Sequence, residues 1–241
     1  MRPVWAVLPF AAVVAALVIL WLRQEKPSSG AAVPEGYHRF CLDLSHHNNA
    51  DIAWDSLRVL IGPDGKTIHS IASAREIRPL ECIVFKATEG ISMQDSRFKE
   101  FWEAAGKLGI PRGAYHFFRT SVDPAVQAQN YIRTVALRHS DMPPILDVET
   151  HHLGCTAEQL NGRVKIWLET VEAHYGRRPL LYAPDSYVRD LLSRDITDNY
   201  PLWIARYNEN APVSGGWTLW QFTDKALVYG VKGFVDLSVI R

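Results

Sequence analysis

The feature that most restricts how this 241-residue chain can fold is a regular alternation of short β-rich runs with amphipathic helical patterns. The runs are rich in branched and aromatic residues and are mostly bounded by Gly, Pro or Asp, which is typical of strands. A strand, a helix and a further strand imply a crossover connection, so most of the strands should be parallel. Eight runs are predicted as strands, at residues 39–44, 82–87, 112–118, 144–149, 179–183, 201–206, 217–222 and 232–237.

The helical patterns are clearest in the middle of the chain. Apolar residues recur at helical spacing from Phe98 to Leu108. Asp123 followed by Pro124 has the form of an N-cap with proline at the first helical position. Residues 156–159 match a capping box and open a third helix.

Helices become scarce in the last third, where the segments 207–216 and 223–231 are too short or too rich in Gly and Pro for crossover helices. The sequence therefore predicts an α/β fold, an irregular (β/α) barrel of about eight mainly parallel strands with fewer helices than strands. A doubly wound open sheet is the structural alternative. Residues 61–81 form a longer excursion between the first two strands.

The N-terminus carries an apolar stretch without a charge, from Pro3 to Leu22. As a helix it would extend ~30 Å, enough to cross a bilayer, and it is longer than the apolar part of a cleaved signal peptide. We predict a transmembrane signal anchor over 1–23, a flexible linker over 24–36 and one domain over 37–241. A cleaved signal peptide, with Gly30-Ala31-Ala32 as the cleavage site, is the alternative and would give a secreted protein.

Composition argues against a nucleic-acid partner and leaves undecided whether the cysteines are bridged. Lys plus Arg and Asp plus Glu number 26 each, so nothing favours a nucleic-acid partner. The three cysteines form no CxxC pair, which gives no metal or redox motif. Cys41 and Cys82 lie at the starts of two predicted strands, so they could form a disulfide if those strands are neighbours, and buried free thiols are the alternative.

Carboxylates recur where predicted strands end. Asp147 and Glu149 close the run PPILDVE, and residues two apart on a strand point to the same face. Asp43 closes the first strand in CLDLS, and Asp236 closes the last in FVDLS. The carboxyl ends of parallel barrel strands meet at one rim, where active sites gather. We therefore predict that these four acids surround one cavity.

Such a cluster suits acid catalysis. Several like charges do not ionise together cheaply, so at least one acid should keep a raised pKa. A protonated acid beside ionised partners is what cleavage of a glycosidic bond requires. A single Asp at a strand end is more often a cap, and a group of acids also suits Ca²⁺ or Mg²⁺. The pairs His46-His47 and His151-His152 match no zinc pattern, and we interpret them as solvated loop residues, with a supporting role for His46 beside Asp43 left open.

An ordered set of short segments extends over residues 39 to 240: LDLSHHNNADIAW, IVFKATEG, GIPRGAYHFF, PPILDVE, LLYA, PLWIARY, LWQFT and GFVDLS. In this order they resemble the glycoside hydrolase family 25 lysozymes, the N-acetylmuramidases. The resemblance implies an irregular β/α barrel that hydrolyses the β-1,4 bond between N-acetylmuramic acid and N-acetylglucosamine. Peptidoglycan glycan strands would be the partner, and neither a cofactor nor a metal is expected.

The resemblance also implies roles for the acids. Glu149 is the general acid, and Asp147 steadies a group at the anomeric centre, such as the N-acetyl oxygen of the substrate. Asp43 and Asp236 complete the catalytic set. A glycan cleft combines aromatic and hydrogen-bonding groups, so the candidate substrate-binding residues are Tyr115, Tyr182, Trp203 and Gln221, together with Lys86 and Glu89 as pocket wall or, alternatively, as a structural ion pair. Less favoured candidates near strand ends are His116, Tyr207 and Trp220.

Two other functions fit part of the sequence. One is a metal-dependent hydrolase that modifies the same polymer, and the other is a non-catalytic cell-wall-binding module whose cleft the 61–81 excursion blocks. With the muramidase function we expect a monomer, anchored in the membrane through residues 3–22, whose catalytic domain is exported to the periplasm or the cell exterior.

Overall fold

The computed structural model describes residues 29–48 and 51–241. The predicted membrane anchor lies outside these ranges and stays a prediction. Within them, no helix is both long and apolar enough to cross a bilayer.

The described residues form twelve strands in two sheets. Their bounds are β1 Phe40–Leu44, β2 Val59–Ile61, β3 Thr67–Ile68, β4 Glu76–Arg78, β5 Leu80–Glu89, β6 Met93–Gln94, β7 Arg112–Phe117, β8 Ile145–Asp147, β9 Leu180–Pro184, β10 Leu202–Ala205, β11 Trp217–Ala226 and β12 Val235–Ile240.

Eight of these strands close into a barrel in the order β1, β12, β11, β10, β9, β8, β7 and β5, because β5 also pairs with β1. Seven run parallel, and β12 is antiparallel to both of its neighbours. The predicted barrel with fewer helices than strands is confirmed, and the alternative of an open sheet is excluded by the β1–β5 pairing.

One strand differs from its prediction in a way that matters for the site. The last strand was expected to end near Asp236, yet β12 begins at Val235, so Asp236 is its second residue. Because β12 is antiparallel, its first residues lie at the rim where the parallel strands end. The reversal thus brings Asp236 to the expected rim from the other direction.

The same described residues form five helices, α1 Phe98–Ala105, α2 Pro124–Thr134, α3 Ala157–Tyr175, α4 Asp185–Asp190 and α5 Arg194–Thr197, with short 3-10 turns at Trp54–Ser56 and Ile71–Ser73. The predicted caps are present. Asp123 accepts hydrogen bonds from the backbone of Ala125 and Val126, and Thr156 and Gln159 form the reciprocal capping box. Apolar side chains of α3 that are fully buried fix it against the barrel.

The helix-poor side of the barrel is covered by other elements. The 61–81 excursion contributes to a small antiparallel sheet in the order β3, β2, β4, and the apolar residues Leu57, Val59 and Ile61 join the core outside β1 and β12. The excursion therefore lies on the outer wall of the barrel, and its residues are absent from the lining of the cavity described below.

The predicted flexible linker needs a correction. Residues 30–33, part of that linker, are bound to the domain: the backbone of Ala32 bridges to Lys66, and Ala31 donates to the carbonyl of Lys225 at 3.0 Å. Of the predicted linker, residues 24–28 lie outside the described structure.

Two apolar cores lie on either side of the barrel wall. The larger one packs the helices against the strands. The smaller one fills the barrel interior and is formed by side chains that alternate with the outer ones, namely Cys41, Cys82, Val84, Ile145, Leu180, Tyr182, Trp203 and Leu219. Cys41 and Cys82 are joined by a disulfide in this interior, and Cys155 is free. This answers the choice between bridge and buried thiols that the sequence left open.

Candidate active site

A polar cavity of about 170 Å³ opens at the rim where the parallel strands end. All four predicted acids line it, as do four of the six predicted substrate-binding residues. The complete lining is Asp43, Tyr115, Asp147, Glu149, Tyr182, Trp203, Tyr207, Gln221 and Asp236.

Strand alternation brings these side chains together. Asp147 ends β8 two residues after Ile145, and Asp43 lies two residues after Cys41, so each acid stands one layer above an interior apolar residue. Asp43 and Asp236 are direct partners across the β1–β12 pairing. The apolar interior thus forms the floor beneath an acidic layer.

Burial is the main reason that the deeper acids resist ionisation. It raises the pKa of Asp147 well above its ordinary value, and the charges of Glu149 and Asp43 raise that pKa further. The pKa of Asp43 is also raised well above the ordinary range, first by burial and then by Asp236 and Glu149. Oδ1 of each aspartate is buried and accepts no hydrogen bond from the described protein groups.

The pKa of Asp236 is raised in part by Asp224, a neighbour that the sequence did not reveal. The pKa of Asp236 is raised to about 6, first by burial and then by the charges of Asp224 and Glu149. Asp224 lies on β11, next to the irregular pairing of β11 with β12, and no regular strand pattern predicts that proximity.

The pKa of Glu149 is raised, but by a cause other than the expected one. Glu149 is exposed at the cavity mouth, and partial burial within the cavity wall raises its pKa, whereas Lys86 and Arg119 lower it. The sequence predicted that acidic neighbours would raise this pKa. The effect runs the other way: the charge of Glu149 raises the pKa of Asp43 and Asp147.

The polar wall between Asp147 and Asp236 is held by a hydrogen-bond network around Gln221. Tyr182 donates its hydroxyl to Oε1 of Gln221 at 2.6 Å, and Tyr207 donates to the same oxygen at 3.3 Å. With its oxygen engaged twice, the amide nitrogen of Gln221 is available to donate into the cavity. Tyr207, a less favoured candidate from sequence, therefore belongs to the site.

The two remaining predicted aromatics occupy different depths. Trp203 is 2% exposed and donates from Nε1 to Ser238 Oγ at 2.9 Å, so it forms the cavity floor. Tyr115 is partly exposed, and burial followed by the charge of Asp43 raises its pKa well above the ordinary value. Tyr115 is therefore a neutral hydrogen-bond donor at neutral pH.

Comparison with known proteins identifies the family. The family described as Glycosyl hydrolases family 25 matches residues 42–231. This range includes Asp43, Asp147 and Glu149, and Asp236 lies just beyond it. The chain belongs to glycosyl hydrolase family 25.

Relatives of this family 25 chain include the YegX protein of Escherichia coli K12, which is 36% identical over 164 residues that cover 67% of this chain and 60% of YegX. The autolytic lysozyme of Clostridium acetobutylicum is 30% identical over 160 residues, covering 66% of this chain and 48% of that protein. The chain thus matches about half to three fifths of the length of these curated relatives.

Solved structures show the same barrel. A family 25 glycosyl hydrolase from Bacillus anthracis has a TM-score of 0.69 and 26% identity, with 88% of this chain and 92% of that chain covered. A bacterial lysozyme from Streptomyces coelicolor has a TM-score of 0.70 and 24% identity, with coverage of 86% and 94%, which shows likeness of fold.

Lys86 and Glu89 lie outside the cavity lining of this family 25 chain and form the ion pair that the sequence offered as the alternative. Lys86 Nζ lies 2.6 Å from Glu89 Oε2, and Arg119 Nε donates to Glu89 Oε1 at 2.8 Å. Residues three apart on a regular strand face opposite sides, but a register shift after Lys86 places an extra residue in β5. Lys86 and Glu89 therefore share a face, and Arg119, which no sequence pattern marked, completes the group.

The histidine pairs lie apart from the acids. His46 contacts the buried Asp95, with its Nδ1 at 2.5 Å from Oδ2, rather than supporting Asp43. His151 contacts the carbonyl of Cys155 through Nε2 at 2.6 Å. His116 is buried in the wall between β5 and α2, and burial lowers its pKa to about 4. Within residues 29–48 and 51–241, no three His, Cys, Asp or Glu side chains are arranged to hold a metal ion.

Proposed function

We propose that this family 25 chain is a muramidase that hydrolyses the β-1,4 bond between N-acetylmuramic acid and N-acetylglucosamine in peptidoglycan. The observation that carries the proposal is that Asp43, Asp147, Glu149 and Asp236 line one cavity at the barrel rim. The printed name of the Clostridium acetobutylicum relative, autolytic lysozyme, supports the same class of substrate.

Glu149 is the proton donor in this proposal. It is the most accessible of the four acids, and its raised pKa favours the protonated form that a general acid needs. Its proton passes to the glycosidic oxygen as the bond to the anomeric carbon breaks.

Asp147 faces the positive charge that develops at the anomeric centre. Asp147 lines the cavity beside Glu149, so its carboxyl group can accept a hydrogen bond from the N–H of the substrate's acetamido group. An acetamido group held there can direct its carbonyl oxygen to the anomeric carbon, and the developing positive charge favours the carboxylate of Asp147. Gln221 and Tyr115, which also line the cavity, supply donors for sugar oxygens.

Asp43 and Asp236 act on the same site without touching the leaving oxygen. They are partners across β1 and β12. The charge of Asp236 raises the pKa of Asp43, and the charge of Glu149 raises the pKa of both aspartates. Sharing a proton between them limits the negative charge beneath the substrate.

The identity of the cleaved bond is tested by the new reducing end. Purified peptidoglycan is digested, reduced with borohydride and analysed by mass spectrometry. We expect N-acetylmuramitol at the new ends, its loss in Glu149→Gln, and its retention in Glu158→Gln, an exposed glutamate on α3. N-acetylglucosaminitol as the new end would exclude a muramidase.

We propose further that the chain is anchored in the membrane through residues 3–22 with its catalytic domain exported. The apolar stretch is long enough to span a bilayer. The disulfide between Cys41 and Cys82 supports an oxidising compartment. Alkaline washing of membranes should leave the full-length chain in the pellet, and a soluble product starting after the stretch would contradict the anchor.

We also propose that one copy is sufficient for activity, since residues of a single chain line the whole cavity. Light scattering of the detergent-solubilised protein should give the mass of a monomer.

A further inference from the structure

The segment 30–33 adds an edge to the small sheet. Gly30 donates its backbone N–H to the carbonyl of Thr67 at 2.6 Å, Thr67 donates to the carbonyl of Ala31 at 2.9 Å, and Val33 donates to the carbonyl of Gly65 at 3.0 Å. These bonds alternate in direction along the two segments, as in an antiparallel ladder. The excursion therefore holds the chain that leads into the domain.

A second attachment joins the segment to the barrel. Ala31 donates to the carbonyl of Lys225 at 3.0 Å, and the buried Thr67 accepts at Oγ1 from Leu227 at 2.9 Å. Gly30 fits tightly between the two, because a Cβ there would lie 2.4 Å from Thr67 Oγ1 and 2.7 Å from the carbonyl oxygen of Lys225. Any larger residue at position 30 would displace the segment.

This attachment lies at the cleft end of the barrel. In the β11–β12 pairing, Thr223 is opposite Leu237 and Ala226 is opposite Val235, so Lys225 is at the level of Asp236. From there the chain runs towards the opposite end, where the ring of Tyr37 packs on Trp217, the first residue of β11. The polypeptide thus enters the domain beside the cleft rim.

The distance from that entry point to a membrane is short. The apolar stretch of the predicted anchor ends at Leu22, so residues 23–29 connect it to Gly30. Seven residues reach at most roughly 25 Å when fully extended. The 13-residue linker inferred from sequence would have allowed nearly twice that reach.

We propose that the sheet β3-β2-β4 clamps residues 30–33 so that the cleft end of the barrel is the end next to the membrane, and that the substrate of this site is the membrane-proximal layer of glycan. The proposal rests on the muramidase function and on the anchor proposed above. It assigns the excursion a role in orienting the domain, in place of the effect on the cleft that its sequence position suggested.

The orientation is tested by energy transfer from the full-length protein in vesicles that carry an acceptor dye on lipid headgroups. In a Cys155→Ser background, one donor is attached to a Leu153→Cys variant and another to a Ser140→Cys variant. Leu153 is 93% exposed in the loop after β8, at the cleft end, and Ser140 is exposed in the loop before β8, at the opposite end. The two positions are separated along the axis by about 17–20 Å, the length of a typical barrel strand.

We expect transfer from position 153 to exceed that from position 140 by about twofold, since the seven-residue connection starts at the cleft end and holds that end nearer to the membrane. Inserting twenty Gly and Ser residues between Ser28 and Ser29 should remove the difference. Gly30→Val should reduce it, whereas Ser29→Val, one residue outside the bonded segment, should preserve it. Equal transfer in the native-length protein, greater transfer from position 140, or protein that separates from the vesicles on flotation would overturn the proposal.

The choice of glycan is tested separately with the same vesicles. Native-length and lengthened proteins should cut short soluble glycan chains at equal rates, whereas intact sacculi added from outside should be cut several-fold faster by the lengthened protein. Equal rates on sacculi would overturn the membrane-proximal substrate. Absence of activity on soluble chains in both would refute the muramidase function while the transfer measurement still reports the orientation.

Discussion

At the level of single residues, Lys86 is the cation that acts on most of the cavity acids. Its charge lowers the pKa of Asp43, Asp147 and Glu149, in opposition to burial. Its ammonium is fixed by Glu89 at 2.6 Å and lies 4.7 Å from the ring centroid of Phe117. The site therefore balances burial against the positive charge of Lys86, to which Arg119 adds at Glu149.

Replacing that charge should extend activity to higher pH. In Lys86→Met the carboxylate of Glu149 loses a stabilising cation, so its pKa rises and the general acid stays protonated further into the alkaline range. We expect the alkaline limb of the kcat/KM profile to move up by about one pH unit. Lys165→Met, on the exposed surface of α3, is the matched control, and an unmoved limb in Lys86→Met would show that this cation does not tune the acid.

Asp236 should make the fold less stable as the pH rises. Its pKa of about 6 lies above the ordinary 3.8, so the folded chain binds this proton more tightly than the unfolded chain does. The resulting stability is complete below about pH 4 and is lost as the pH rises through about 6. Relative to wild type, Asp236→Asn should therefore gain about 1–2 kcal/mol in the free energy of unfolding between these pH values.

Thermal melts at closely spaced pH values measure this effect. Asp198→Asn, an exposed carboxyl after α5, should follow the wild-type curve. Parallel curves for wild type and Asp236→Asn across the window would argue against a raised pKa.

The sequence predicts individual site residues when strand geometry alone determines their position. Asp43, Asp147 and Glu149 follow from period-two alternation at strand ends. Arg119 and Asp224 do not, because their distance from the acids depends on a loop conformation and on an irregular strand pairing. The sign of the interaction at Glu149 was also missed, since it depends on which charges lie closest.

At the level of secondary structure, β5 combines two features that organise the site. Its first half is linked to β1 by the Cys41–Cys82 disulfide inside the barrel, and its second half contains the extra residue that turns Glu89 towards Lys86. The extra residue leaves no pattern in the sequence, because an insertion of one residue looks like a regular strand. The disulfide stayed one of two alternatives, because it depends on which strands are adjacent. The eight barrel strands themselves were predicted because each is a buried apolar run.

Removing the Cys41–Cys82 disulfide should lower the free energy of unfolding. The surroundings of the free Cys155 should not change. The bridge closes a separation of 41 residues, for which chain-entropy arguments give about 3–4 kcal/mol. Urea unfolding of Cys41→Ala/Cys82→Ala should show this loss, and reduced wild type should match it. Cys155→Ala should unfold as wild type does, and an unchanged midpoint in the double variant would mean that the bridge adds no stability.

The direction of β12 is the other element that sequence did not specify. A run of six apolar and polar residues at the end of the chain fits either orientation in a barrel. The short segment 227–234 leaves room for a hairpin and not for a crossover helix, which is the physical reason that β12 returns antiparallel to β11. The predicted proximity of Asp43 and Asp236 is nevertheless found, because β12 both runs antiparallel and starts later than predicted, which brings Asp236 to the same rim.

For the whole molecule, a filled barrel interior supports an acidic layer that lines a cavity at one end of the barrel. The apolar side chains below the acids exclude water, which raises their pKa values, and the same arrangement leaves Glu149 accessible at the mouth. On the outside, the small sheet and the bound segment 30–33 replace helices around β11, β12 and β1. The closed barrel was predictable from the strand count and the missing helices, whereas the covering sheet was not, because its three short strands carry little pattern.

The central claim is that Glu149 donates the proton to the leaving oxygen, and substrates that differ in their need for that proton test it most directly. Glu149→Gln and wild type are compared on peptidoglycan glycan and on a glycan oligomer whose terminal N-acetylmuramic acid carries a dinitrophenyl leaving group, which departs without protonation. We expect the variant to lose about 10²–10⁴-fold in kcat on glycan and to release dinitrophenol in a pre-steady-state burst at close to the wild-type rate. Equal losses on both substrates would contradict the assignment of Glu149 as the general acid.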